Sequence, residues 1–190
     1  MSSPRAFPLI TGHLGLDLVN TEVVKRGTRH DLLVSESDLS DWLHAVPETA
    51  QGVAAPLDEQ RIFTHGFSAL KELRVLLRQG FERIADGNRP APDWISQLEE
   101  IIERSPLAFR YVEGTLSPAP TGLAEAAIQS LIAYDTLQLL ASGELMTLHR
   151  CANPDCVLLF LDTTGRRKWC SMNLCGNRTK VARHQRRKEN

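Results

Sequence analysis

All four cysteines of this 190-residue chain fall between Cys151 and Cys175, and no other feature restricts the fold as much. Their spacing is Cys151-x4-Cys156-x13-Cys170-x4-Cys175. Each pair supplies two thiolates, and the segment between the pairs is long enough to fold back and bring the second pair to the first. Four sulfurs complete a tetrahedral shell with no position left for water, so a metal held this way would support the fold and not perform chemistry. Structural Zn2+ is the reading; an iron-sulfur cluster and a redox dithiol pair are the alternatives. His149 and His184 lie close in sequence as substitutes for a cysteine. The segment between the pairs reads as a hairpin, with Val157 to Phe160 as one strand, Asp162 to Gly165 as the turn and Arg166 to Trp169 as the returning strand. A module of about forty residues has too little core to stand alone, and a metal supplies what is missing.

Charge is divided along the chain. Arg150 to Asn190 carries 10 Lys/Arg against 3 Asp/Glu, whereas Met1 to His149 carries 12 against 20, so a formal net charge of -1 conceals a basic end and an acidic body. Only the local field steers a polyanion, and such asymmetry points to nucleic acid or another anionic surface. After Cys175 the chain reads GNRTKVARHQRRKEN, with good helix formers from Thr179 onward. Lys180, Arg183 and Arg187 share one helical face with Arg186 beside them, and Arg166, Arg167 and Lys168 form a second basic group. A solvated, frayed tail is the alternative.

The rest of the chain reads as mostly helical. Leu14 to Val24 fits helix or strand, with Leu16, Val19 and Val23 on one face in the helical reading. Leu39, Trp42, Leu43 and Val46 predict an amphipathic helix capped by Ser37, followed by a surface connection through VPETAQGVAAP. Phe63, Phe67, Leu70, Leu77, Phe81 and Ile84 make a continuous helical stripe that Gly87 stops. Trp94, Ile95, Leu98, Ile101 and Ile102 form another helical stripe after Pro92, Leu107 to Tyr111 alternates as a strand, and an Ala- and Leu-rich helix spans about Leu123 to Leu140. Asp17, Asn20 and Thr21, at helical spacing, either aim polar groups into a ligand pocket or close a helix end and its neighbouring loop. The chain has no phosphate-binding glycine loop, nucleophile elbow or His/Glu metalloprotease motif, so no catalytic residue is assigned and no enzyme is expected. MSSPRAFPLITGHLG lacks the apolar core of a secretory signal and no stretch suits a membrane span, so a soluble cytoplasmic protein with no membrane partner is expected. In that reducing compartment cysteines hold metal more often than they form disulfides.

The segment FLDTTGRRKWCSMNLCGNR closely resembles the signature of the CGNR zinc-finger family, whose motif stands here as Cys175-Gly176-Asn177-Arg178. The resemblance spans Cys151 to about Arg187 and implies that the four cysteines bind zinc in a DNA-binding element of bacterial regulators. LDLVNT and DLLVSESDLSDWL resemble the ABATE domain of stress-induced transcription regulators. For the motif itself, Gly176 would let backbone amides approach the sulfurs, Asn177 would hydrogen-bond across the knuckle, and Arg178 would either pair with Asp162 or contact phosphate.

The expected fold is therefore α+β and mostly α, a helical N-terminal domain with a few strands over residues 1–145 and a small zinc module of hairpin and helix over 146–190. The expected function is zinc-dependent DNA binding in transcription regulation, with the N-terminal domain sensing a small-molecule effector or forming a homodimer. The rival reading is an interaction adaptor whose basic module docks on an acidic protein surface or on its own acidic domain.

Overall fold

The computed structural model describes residues 7–46, 66–112 and 114–177. The connection after Val46, Phe63, His184 and the basic segment from Arg178 onward, with Lys180, Arg183, Arg186 and Arg187, lie outside the described residues. The described chain is mostly helical, with three separate two-stranded antiparallel sheets, in agreement with the expected fold class.

The segment that fitted either helix or strand is both. Helix α1, Leu14–Val19, is buried along its whole length, and the chain then turns into strand β1, Glu22–Lys25. Thr21 ends the helix by donating from its amide and its hydroxyl to the Leu18 carbonyl, at 3.1 and 2.6 Å. Val23, read on the helical face with Leu16 and Val19, instead pairs with His30 of strand β2, Thr28–Asp31. Arg26 and Gly27, both at positive φ of 52° and 78°, close this hairpin with a two-residue turn.

Helix α2 runs Glu36–Ala45 with Trp42 fully buried. Ser35 caps it, not Ser37 as expected, because Ser35 and Asp38 form a reciprocal capping box: the Asp38 amide donates to Ser35 Oγ and the Ser35 amide donates to Asp38 Oδ2. Helix α3, Phe67–Ala85, carries the predicted stripe and stops at Gly87, whose φ of 84° lets its amide reach the Ile84 carbonyl while the Asn88 amide reaches Arg83. Helix α4, Pro92–Arg104, opens on its proline, and its Trp94 lies so close over Gly80 of α3 that a Cβ there would overlap the indole.

Strand β3, Leu107–Val112, was expected, whereas its partner β4, Thr115–Pro120, has no signal in the sequence beyond Gly114. Pro118 and Pro120 argue against a strand, yet a two-stranded ribbon has an open edge where a missing N–H leaves no ladder bond unmade. Helix α5, Ala124–Ala141, then packs on α1 and α4. A 3-10 turn, Glu144–Thr147, leads into strand β5, Leu148–Arg150, which pairs with β6, Leu159–Leu161. Leu148 and Leu159 belong to the same core cluster as Leu16, Leu77 and Phe81, so this last hairpin is built into the helical body.

Two arginines of α3 hold these pieces in place from inside the apolar stripe. Arg74, 4% exposed, grips both carboxylate oxygens of Asp31 at 2.6 Å and donates to Thr21 Oγ1 at 2.8 Å. Arg78, 8% exposed, donates to the Val19 carbonyl at 2.7 Å, to Glu22, to Glu82 and to the Val157 carbonyl at 3.3 Å. Burial alone would raise the Asp31 pKa, but hydrogen bonds from Arg74 and the Leu33 amide, with the Arg74 charge and Lys71, outweigh it and hold the value below 3.8. Stability from this pair is thus present above the ordinary carboxylate value and lost as pH falls through the lowered one. Asp31→Ala leaves a buried guanidinium without its counter-charge and is expected to cost roughly 3 kcal/mol in urea unfolding at pH 7. That difference from wild type should shrink on acidification; an equal difference at pH 7 and at low pH would show that the carboxylate's charge is not what matters.

Candidate metal centre

Four segments converge at the end of the β5–β6 hairpin. Strand β5 delivers Cys151, the loop before β6 delivers Cys156, and the segment after β6 brings Cys170. A short turn over Met172–Gly176, capped by Ser171 Oγ accepting the Leu174 amide, carries Cys175. The four Sγ atoms all lie within 4.8 Å of one another, and those of Cys156 and Cys170 are 3.9 Å apart. Sulfurs about 2.3 Å from a tetrahedral zinc stand about 3.8 Å from each other, a spacing that the Cys156–Cys170 pair already has and the full set approaches. Cys151, Cys170 and Cys175 are buried and Cys156 is half-buried.

The surroundings suit concentrated thiolate charge. The Cys170 amide points at Cys151 Sγ at 3.4 Å and the Asn153 amide group at Cys175 Sγ at 3.5 Å, donors that favour ionised sulfur. Hydrogen bonds from Cys156 and Cys170 pull the Cys151 thiol far down, and the same contacts push Cys156 and Cys170 up. Crowded thiols share their protons in this way until a divalent cation allows all four to ionise. Leu158, Phe160, Trp169 and Leu174 wrap the cluster in an apolar shell that Ile10 and Val23 of the helical body complete.

The hairpin beside the site differs from the expected one. Residues 166–169 do not form a strand; β6 pairs instead with β5, which precedes the first cysteine. Asp162 redirects the chain after β6. Its carboxylate accepts from the Thr164 amide at 3.0 Å, the Thr164 hydroxyl at 2.7 Å and the Arg167 amide at 2.6 Å, which hold its pKa down to about 2. With that turn made, the returning chain swings off the sheet towards the cysteines, and the Ala152 amide donates to the Lys168 carbonyl at 2.8 Å to tie the two halves of the site.

A family model for the CGNR zinc finger matches residues 147–188, and the ABATE model, described as "Putative stress-induced transcription regulator", matches residues 12–143. The chain belongs to the ABATE family. A comparison with curated proteins finds no match. The description is of a regulator, not of a catalyst, and the four-cysteine cluster lies inside the CGNR match with a donor set that suits zinc. Among the described residues no helix is long and apolar enough to cross a membrane.

Within the CGNR finger the predicted basic residues have different surroundings. Arg166 and Lys168 are exposed. Arg167 donates to the Leu161 carbonyl at 3.1 Å and the Cys170 carbonyl at 2.5 Å, and lies 4.7 Å over the Phe160 ring, fastening the chain beside Cys170. The Gly176 amide itself donates to the Ser171 carbonyl at 3.1 Å. A Cβ there would meet the sulfur and terminal methyl of the half-exposed Met172 side chain, which would have to move aside. Asn177 is exposed, and the Asp162 carboxylate considered for Arg178 is already engaged by its own turn.

In the ABATE domain the polar trio is buried, and its polar groups meet protein partners. Asp17 accepts from the amides of Ile10, Thr11 and Gly12 and from the Thr11 hydroxyl, while burial raises its pKa despite them. Asn20 makes a two-way bond with Leu159 of β6, donating to its carbonyl and accepting its amide, both at 2.9 Å. Thr21 accepts from Arg74. Sequence reading overlooked Arg74 and Arg78, although two arginines four apart inside an apolar stripe are a usable signal for buried ion pairs. It also overlooked Asn153 and Ser171, whose small polar side chains shape the cysteine loops locally.

Replacing Cys170 with serine should reduce bound zinc from one per chain towards none and expose residues 151–177 to limited proteolysis. Metal analysis of the purified variant checks it, and full zinc retention would remove Cys170 from the ligand set. Acidification should release the metal as the thiolates reprotonate.

Proposed function

We propose that this chain is a zinc-dependent DNA-binding transcription regulator whose ABATE domain senses a small-molecule effector. The observation that carries the reading is the junction of a closed four-cysteine site with a run of charge. Directly after Asn177, residues 178–188 hold six Lys/Arg and no Asp/Glu. A metal-held knuckle provides a rigid origin for such a segment, as a groove-reading element requires. The exposed Arg166 and Lys168 add cations on the knuckle itself, while Arg167 serves the knuckle's own carbonyls.

In this reading Arg178, Lys180, Arg183, Arg186 and Arg187 neutralise phosphates, and sequence is read by a subset of them. The double variant Arg183→Ala, Arg187→Ala should weaken binding to duplex DNA and flatten the log-log salt dependence by about 0.9 for each phosphate that is no longer neutralised. Its zinc content should equal wild type. Unaltered binding across the salt series would remove these two residues from the DNA-facing surface.

The adaptor reading draws on Arg150, which pairs with Asp86 at 2.6 Å and Glu82 at 3.4 Å and holds the Asp86 pKa below the usual carboxylate range. Acid-base contact between finger and helical body therefore exists, through one arginine at the base of the finger. Zinc-loaded protein that fails to bind DNA even at low salt, yet binds an acidic protein surface, would favour the adaptor.

A homodimer would present two basic segments at once. Phe109, Tyr111 and Leu116 are exposed on the β3–β4 ribbon, with Tyr111 directly opposite Leu116, and suit self-association. Tyr111→Glu should convert a dimer to monomer in analytical ultracentrifugation; a wild-type monomer at high concentration would dismiss this face.

A further inference from the structure

We infer that the effector site is the cleft between residues 7–10, the β1–β2 hairpin and the cysteine knuckle, and that it takes a small molecule with an apolar, ring-sized body and one anionic end. This inference rests on the proposal that the ABATE domain is ligand-responsive, and it names the place and the chemistry. The cleft has a volume of about 400 Å³, within the range of small-molecule sites and too small for a folded partner element.

Its walls explain the occupant. Phe7, Leu9, Ile10, Val23, Leu32 and Leu158 give apolar lining from three separate segments. Lys25, the last residue of β1, provides the cation, and Asp155 supplies a carboxylate on the knuckle side. An anionic group therefore seats towards Lys25 and away from Asp155, leaving the apolar body against the valine and leucine side chains. Ser171 and Asn173 add polar lining from the knuckle.

The buried polar trio constructs these walls from behind. Asp17 clamps the amides of Ile10 to Gly12, which sets the course of the first wall. Thr21 accepts the Leu32 amide at 2.9 Å through its carbonyl and Arg74 through its hydroxyl, which fixes the second. Asn20 holds Leu159, the residue after Leu158, which fixes the third. The hydrogen-bonding capacity that the sequence concentrates in LDLVNT thus shapes a cavity that none of the three residues lines.

The position gives the ligand a direct route to the finger. Cys156 and Cys175 line the same cleft, and Ile10 and Val23 pack against the cysteine cluster. A molecule bound there buttresses two of the four metal ligands and the turn that launches residues 178–188. Occupancy should then slow zinc loss and alter the affinity for DNA, because a ligand shifts an equilibrium by its differential affinity for the two states.

The test uses zinc-loaded full-length protein and 1-anilinonaphthalene-8-sulfonate, a probe with an aromatic body and one anionic group. The expected result is a single saturable site whose affinity falls about tenfold in Val24→Trp and in Asn173→Trp, which fill the cleft from opposite walls. Lys25→Glu should weaken the probe as well, and bound probe should slow zinc transfer to a chelator. Zinc content at wild-type level certifies each variant as folded, and the exposed positions of Lys25 and Asn173 make those two the least disruptive. Absence of saturable binding overturns the inference. Binding that all three variants leave unchanged also overturns it, since the probe then sits elsewhere, as on the exposed Phe109 and Tyr111 face. DNA binding is measured on the same samples: intact DNA binding without a probe site defeats this inference alone, whereas a probe site without DNA binding defeats the regulator reading and leaves the cleft standing.

Discussion

The Arg78 guanidinium is the interaction on which the arrangement of this protein turns. Taking a charge out of water costs several kcal/mol unless its donors are engaged, so a buried arginine dictates where its acceptors must be. Those acceptors come from four places: the end of α1 at Val19, strand β1 at Glu22, its own helix at Glu82, and the knuckle at Val157. Arg74, one turn earlier, does the same for Thr21 and for Asp31 of β2. Together the two side chains set the β1–β2 hairpin and the first cysteine loop against one face of α3.

The consequence is that the zinc finger is continuous with the helical body. Leu148 and Leu159 share its core, Asn20 brackets Leu159 from both sides, and Ile10 and Val23 complete the apolar shell of the cysteines. Packing this close leaves α1, β1 and the cysteine cluster in one contiguous arrangement. That mechanical continuity is what a regulator needs if an event in the ABATE domain is to alter the start of the basic segment.

Much of the helical body was readable in advance, since a stripe of apolar side chains at period 3.6 has one low-energy solution. The Gly87 stop of α3 and the proline start of α4 followed the same local rules. The sequence was less readable where two local preferences compete. Leu14 to Val24 carries both periods because it is a helix joined to a strand through Thr21, and the proline-rich β4 contradicts strand propensity at an edge that tolerates it. The buried arginines escaped notice for a related reason: charge within a stripe reads as an interruption until its partners, in this case residues more than forty positions away, are known.

By itself the sequence determined the cysteine set and its spacing, the major helices and the segregation of charge, because each depends on residue identity and short spacing. Only the tertiary structure decided that β6 pairs with the strand before Cys151, that Arg167 is spent on the carbonyls of Leu161 and Cys170, and that Asp17, Asn20 and Thr21 face protein partners. Strand pairing and hydrogen-bond choice are settled by which groups burial brings together, and Asn20 meets Leu159 across 139 residues. No local pattern encodes that meeting; the shared core of Leu16, Leu148 and Leu159 does.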